Sequence, residues 1–166
     1  MKKLLLALML IAPMSMFAQK FGHINSQEIM QAMPEFIKAS GDIKAKATQF
    51  ENDLKAMQDE LQRKSDEYDK TKSTMNATKQ KETEQSLQQM YQKIQQTYQD
   101  NQQTLAKEQQ DKMQPITTKL VNAINNVGKA GGYVYIMDLG AGIPYISTTL
   151  SEDVTAKVKA ELNKLK

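Results

Sequence analysis

Apolar residues recur along this chain in three rhythms. The first is an unbroken run over residues 4–12, preceded by Lys2 and Lys3. It is far shorter than the ~20 apolar residues a bilayer-spanning helix needs. A basic start, a short apolar run and a polar continuation after Ala18 predict a secretory signal peptide over residues 1–18, cut between Ala18 and Gln19. A lone N-terminal anchor is the competing reading. The second rhythm is a heptad. One seam position holds Ser40, Ala47, Leu54, Leu61, Tyr68 and Met75, and the other holds Phe36, Ile43, Phe50 and Met57 before degrading to Lys64 and Thr71. Alternating three- and four-residue spacing over several turns is a coiled-coil seam. A return stripe follows at Leu87, Tyr91, Ile94, Tyr98 and Leu105, then Gln109 and Met113, and continues through Ile116, Leu120, Ile124 and Val127.

Between the two stripes, residues 71–79 cluster β-branched and cap-type side chains and form the weakest helical stretch. A reversal there lies nearly midway between Pro34 and Pro115 and folds the region into an antiparallel helical hairpin, each arm roughly 60 Å long at 1.5 Å per residue. One continuous parallel coiled coil is the alternative. The third rhythm is short and β-like. Residues 20–25 predict a first strand with Phe21 and Ile24, and residues 133–139 a second, rich in β-branched and aromatic side chains. Residues 143–147 predict a third strand after the turn at residues 140–142. Ser26 offers an N-cap to a short helix carrying Ile29, Met30 and Met33, and Pro34 marks a kink or a fresh helix start. Residues 128–132 read as a helix stop and turn. Ser151 is expected to cap a final helix with Val154, Val158, Leu162 and Leu165 on its face.

The fold class is therefore mostly α with a small β body: a discontinuous body over residues 19–34 and 115–166, and a hairpin arm over residues 35–114 with its tip near residues 71–79. Such a body is too small to bury a sufficient core alone. The chain has no cysteine, so disulfides, thiol chemistry and lipid attachment through cysteine are excluded, and self-association is the expected remedy. The formal charge of +3 falls to about +1 once Lys2 and Lys3 leave with residues 1–18, which argues against a nucleic-acid partner.

Candidate chemistry is sparse. His23 is the one histidine, without a companion ligand, and no catalytic constellation is present, so no enzyme activity, metal or cofactor is expected. Acid pairs such as Asp59-Glu60 and Asp66-Glu67 have lysines four residues on, Glu60 with Lys64 and Asp66 with Lys70, and read as solvated helix pairs. Two features stand out. Lys70, Lys72, Lys79 and Lys81 surround the tip and form a candidate basic contact for an anionic membrane surface or an acidic client. Met57, Tyr68, Met75, Met90, Tyr91 and Tyr98, with Met113, line the arms, and adaptable thioethers and amphipathic rings suit contact with varied clients. Packing within the hairpin seam is the alternative use for them.

Three segments in this order resemble the Skp/OmpH family over the whole mature chain: Gly22-His23-Ile24-Asn25-Ser26 leading to Met33-Pro34-Glu35; Pro115-Ile116-Thr117-Thr118-Lys119-Leu120 running into Ala123-Ile124 and Val127; and Gly132-Tyr133-Val134-Tyr135-Ile136-Met137-Asp138. The resemblance implies a homotrimer held through its β-strands, around Ile24, Val134, Ile136, Ile143 and Ile146, with helical hairpins projecting around a cavity. It implies an ATP-independent periplasmic holdase for unfolded outer-membrane β-barrel proteins. One departure concerns charge: residues 35–114 carry slightly more acids than bases, unlike the strongly basic members, so no lipopolysaccharide site is carried over and hydrophobic contacts are expected to matter more. A periplasmic coiled-coil adaptor or scaffold is the competing function, although adaptors usually add β-domains for which this chain is too short.

Overall fold

The computed structural model describes residues 19–165, so the expected signal peptide lies outside the described residues. The elements are β1 (Lys20–Ile24), α1 (Ser26–Ala32), α2 (Pro34–Thr71), a 3-10 turn (Lys72–Thr74), α3 (Ala77–Gly131), β2 (Tyr133–Asp138), β3 (Ser151–Asp153) and α4 (Thr155–Leu162), with a second 3-10 turn at Leu139–Ala141. They divide into two compact units, the stretch up to Gln27 with Asn122–Lys166, and Glu28–Val121.

The second unit is an antiparallel helical hairpin. Met33 is extended ahead of α2 and Pro34 opens it, where a missing N–H costs nothing. Phe36, Ser40, Ile43, Ala47, Phe50, Leu54, Met57, Leu61, Lys64, Tyr68, Thr71 and Met75 are all half-buried, so the expected outgoing seam is present down to its polar members. Three ion pairs count out the register. Glu35 meets Lys119 at 2.6 Å, Asp42 meets Lys112 at 3.1 Å and Lys46 meets Glu108 at 2.9 Å. Each advance along α2, by seven residues and then four, is matched by an equal retreat along α3. Partly exposed pairs contribute only about 0.2–1 kcal/mol each, so they select the register more than they hold the hairpin. The reversal falls at the expected tip. Asn76 caps α3 by accepting a hydrogen bond from the Lys79 N–H at 2.8 Å, and the Gln80 amide closes the turn by donating to the Lys72 carbonyl at 2.7 Å.

On α3 the expected stripe is out of phase. Leu87 and Ile94 face the seam, but Tyr91 and Tyr98 are 50% and 54% exposed. Met90, Thr97, Asn101 and Thr104 take the inward positions instead. The aromatic bulk opposite Phe50 and Leu54 is thus replaced by small polar side chains. The Asn101 side-chain nitrogen is buried without a hydrogen-bond partner among the described residues. Asn101→Leu should therefore raise hairpin stability by about 1–3 kcal/mol, the penalty such a group carries. An unchanged chemical denaturation midpoint would show the nitrogen to be hydrated.

Helix α3 continues through Pro115, the expected border between arm and body, and ends at Gly131, within the helix stop expected over residues 128–132. Proline removes one helical hydrogen bond, and the continuing packing of Ile116 and Leu120, 6% and 5% exposed, keeps the helix intact across it. Gly132 (φ +65°) makes the turn into β2.

In the first unit β1 is the central strand, parallel to β2 on one side and β3 on the other. Gly22 and Ile24 point to one face of this sheet and are buried, with Ala123, Val154, Thr155, Val158 and Leu162 completing the unit's core. A Cβ on Gly22 would lie 3.2 Å from the Tyr133 ring and 3.3 Å from Ile136, so the close approach of β1 and β2 favours glycine there. The strand expected over residues 143–147 does not form. Both edges of β1 are taken, and Pro144 has no N–H to donate. The third strand is instead Ser151–Asp153, so Ser151 does not cap the last helix. That helix begins at Thr155, whose N–H donates to the Asp153 carboxylate at 2.9 Å. Val154, Val158 and Leu162 are buried as expected.

Two carboxylates tie the first unit together. Asp138 at the end of β2 accepts from the Ser26 N–H at 3.1 Å, from the Ser26 hydroxyl, and from the Gly140 N–H at 3.0 Å. Burial pushes its carboxyl up, but these hydrogen bonds outweigh it and hold the pKa below the usual value. Glu152 on β3 accepts from Lys157 and from the Tyr133 hydroxyl at 2.6 Å, and Lys20 lies 3.3 Å away. Lys157 and the Tyr133 hydroxyl lower the Glu152 pKa most, from 4.5 to about 2. A depressed carboxylate stabilises the fold above its unfolded pKa and loses that contribution as pH falls through the folded one. Glu152 should thus withdraw stability between pH 4.5 and about 2. Glu152→Gln should flatten the denaturation-versus-pH profile in that window, and an identical profile would remove Glu152 from the account.

Candidate functional site

Two surfaces carry residues singled out from sequence, and a third emerges from the sheet register. The first is the tip. Lys70, Lys72, Lys79 and Lys81 are all exposed. Lys72 pairs with Asp69 at 2.8 Å and Lys79 with Glu82 at 3.7 Å, whereas Lys70 and Lys81 make no ion pair with any described residue. The net field of the tip is therefore weaker than four lysines suggest. Lys64 pairs with Glu60 at 3.6 Å as expected, while Asp66 takes a hydrogen bond from Gln62 rather than pairing with Lys70.

The second surface is the flank of the hairpin. Met57, Tyr68, Met75 and Met90 are half-buried along the seam, and the Tyr68 hydroxyl donates to Glu84 across the hairpin. Met113 is half-buried too. Tyr91 and Tyr98 stand apart from this group, exposed one heptad from each other. A cleft beside Pro115, lined by Glu35, Lys38, Asp42, Lys112 and Lys119, has its charges paired internally, including Lys38 with Asp42 at 3.0 Å.

The third surface is the outer face of the sheet. Alternation along β1 sends Phe21 and His23 to the side opposite Ile24, and the register sets Tyr135 and Met137 beside them. Phe21 and Tyr135 stack with ring centroids 6.1 Å apart, and His23 Nδ1 lies 2.9 Å from the Ser151 hydroxyl oxygen. Tyr135 is 59% exposed and Met137 43%, and Tyr145 and Leu150, in the segment that leads to β3, are 79% and 76% exposed. Of the residues expected at subunit contacts, Ile24 lies in the core, Val134 is exposed at a bulge, and Ile136, Ile143 and Ile146 are half-buried. The sequence reading did not assign Phe21, Tyr135 and Met137 to an interaction surface; β2 is apolar at five successive positions and bulged at Val134, so its outward face is not legible without the register. Tyr135 and Met137 thus leave apolar side chains uncovered on this face of the sheet. Among the described residues no group of acids and histidine could hold a metal ion, and no helix is long and apolar enough to cross a membrane.

The family model described as outer membrane protein (OmpH-like) matches residues 20–162, spanning both units. A crystal structure from Caulobacter crescentus CB15, of a protein proposed to be an OmpH-like outer membrane chaperone, superposes with a TM-score of 0.74 at 17% identity, covering 88% of this chain and 85% of that one. No curated protein gives a significant match.

Proposed function

The chain belongs to the OmpH-like family, and from that premise we propose that it is an ATP-independent periplasmic holdase, a homotrimer that binds unfolded outer-membrane β-barrel proteins and prevents their aggregation. The observation that carries this reading is the hairpin: two helices of 38 and 55 residues, paired antiparallel with side chains exposed along both outer flanks. Such a surface offers many weak contacts to an unfolded chain, and weak distributed contacts release without an energy source. The apolar outer face of the sheet, with Tyr135 and Met137 uncovered, supports assembly through the strands.

Native mass spectrometry of the mature protein with a freshly diluted, unfolded barrel protein tests both halves. A trimer carrying one client without nucleotide is the expected result. A trimer that ignores the client would favour an adaptor or scaffold, and a monomer would sink the assembly. The tip adds a separate contact in this reading. Exchanging Lys70, Lys72, Lys79 and Lys81 for glutamate should weaken co-sedimentation with anionic vesicles, and unaltered co-sedimentation would reduce those lysines to solvation of the turn.

A further inference from the structure

We propose that one uncharged stripe on α3 grips the client, and that it does so by matching the peptide backbone, without regard to the client's charge. The proposal rests on the holdase reading. Beside the hairpin seam α3 carries a second heptad. Gln88, Gln95, Gln102 and Gln109 repeat at one position, and Tyr91, Tyr98 and Leu105 at the other. The four glutamines are exposed, as are the two tyrosines, and Leu105 is half-buried. Among the described residues, none of the six polar side chains has a side-chain hydrogen-bond partner within the protein. No acid or lysine interrupts the stripe, although both occur elsewhere on the same helix, as Lys93, Asp100 and Lys107.

Glutamine carries the same groups as a peptide bond, N–H donors and a carbonyl acceptor. An unfolded chain exposes those groups to solvent along its length, largely independent of its sequence. Tyrosine adds a flat amphipathic surface that loses little conformational freedom on contact. A charged stripe would instead select clients by sign and would be costly to desolvate against apolar segments. A second helix is the other natural occupant of a heptad, but pairing of helices is directed by charges flanking the seam. The solvent-side flank here is Gln92, Gln99 and Ala106, which supplies none.

The test uses the full mature protein and a fluorescently labelled barrel protein unfolded in urea, titrated by anisotropy and followed by light scattering. Tyr91→Ala with Tyr98→Ala should weaken binding about tenfold, and the paired Phe variants should retain it. Raising salt from about 0.05 M to 0.5 M, which screens exposed charges, should change the parent's affinity less than about twofold. Gln88→Glu, Gln95→Glu and Gln102→Glu together should make binding both weaker and salt-dependent. Circular dichroism confirms that each variant remains folded. A parent that holds the client while the stripe variants hold it equally well overturns the stripe and leaves the holdase standing. Steep salt dependence of the parent also overturns it. Tyr98→Cys forming an inter-copy disulfide that client does not suppress would make the stripe a seam between copies. A parent that fails to suppress aggregation at all removes the holdase reading, and the stripe with it.

Discussion

Ile24→Ala is expected to lower the stability of the strand-bearing unit by about 2–5 kcal/mol, the range for truncating a buried isoleucine. Ile24 is 2% exposed on the central strand, and the core it belongs to is small: Ala123, Val154, Val158 and Leu162 are its other buried apolar members. Against a total stability of about 5–15 kcal/mol, such a loss removes a large share. Urea denaturation followed by far-ultraviolet circular dichroism reads it as a lower midpoint. Tyr135→Ala provides the contrast. That side chain is 59% exposed on the opposite face, so its removal should spare the fold of the single chain while weakening the proposed assembly. If Ile24→Ala left the midpoint in place, the core would have to lie elsewhere than on this strand.

Gly131→Ala should be the next most damaging single change. A Cβ there would stand 2.2 Å from Tyr133 Cε2 and 2.7 Å from Cδ2. An unrestrained ring would swing aside, but this one is held. Its hydroxyl donates to Glu152, Lys20 lies 4.3 Å from the ring centroid and Lys157 5.7 Å. Displacing it forfeits those contacts, and overpacking of this kind typically costs about 1–3 kcal/mol. Because the Tyr133 hydroxyl helps to depress the Glu152 pKa, the variant should also lose less stability than the parent between pH 4.5 and about 2. Denaturation curves at several pH values separate the two effects. A lower midpoint with an unaltered pH profile would mean that the ring had kept its place.

The outgoing seam was legible because bulk and spacing agree there: Phe36, Ile43, Phe50, Leu54, Met57 and Leu61 are bulky apolar residues at alternating seam positions, and all are half-buried. On α3 those two cues conflict. The most conspicuous residues, Tyr91 and Tyr98, share the heptad spacing of the true seam but lie one residue beyond Met90 and Thr97. A seam built from Thr97, Asn101 and Thr104 gives no hydrophobic signal. The first two strands form where expected, and the third failed for another reason. Residues 143–147 have suitable side chains, yet parallel pairing depends on which distant segment lies along β1, and that information is not local. Ser151–Asp153 is short and polar, so it reads as a helix start although it completes the sheet. For the candidate surfaces, the tip lysines and the exposed tyrosines were named from sequence, while the uncovered sheet face emerged only once the register joined Phe21 to Tyr135 and His23 to Met137.

The placement of β1 between β2 and β3 also sets an order of events. Its five residues, Lys20–Ile24, precede both helices of the hairpin, yet their partners begin at Tyr133 and Ser151. Closing so long a span from an open coil is slow, because contacts distant in sequence carry the whole entropy of the loop between them. The helical hairpin is local and can form first, and once Glu35 meets Lys119 most of that span is already spent as rigid structure. The arm is then a folding tether before it is anything else. Substitutions along its seam that delay hairpin formation should slow completion of the sheet, even where they touch none of its residues.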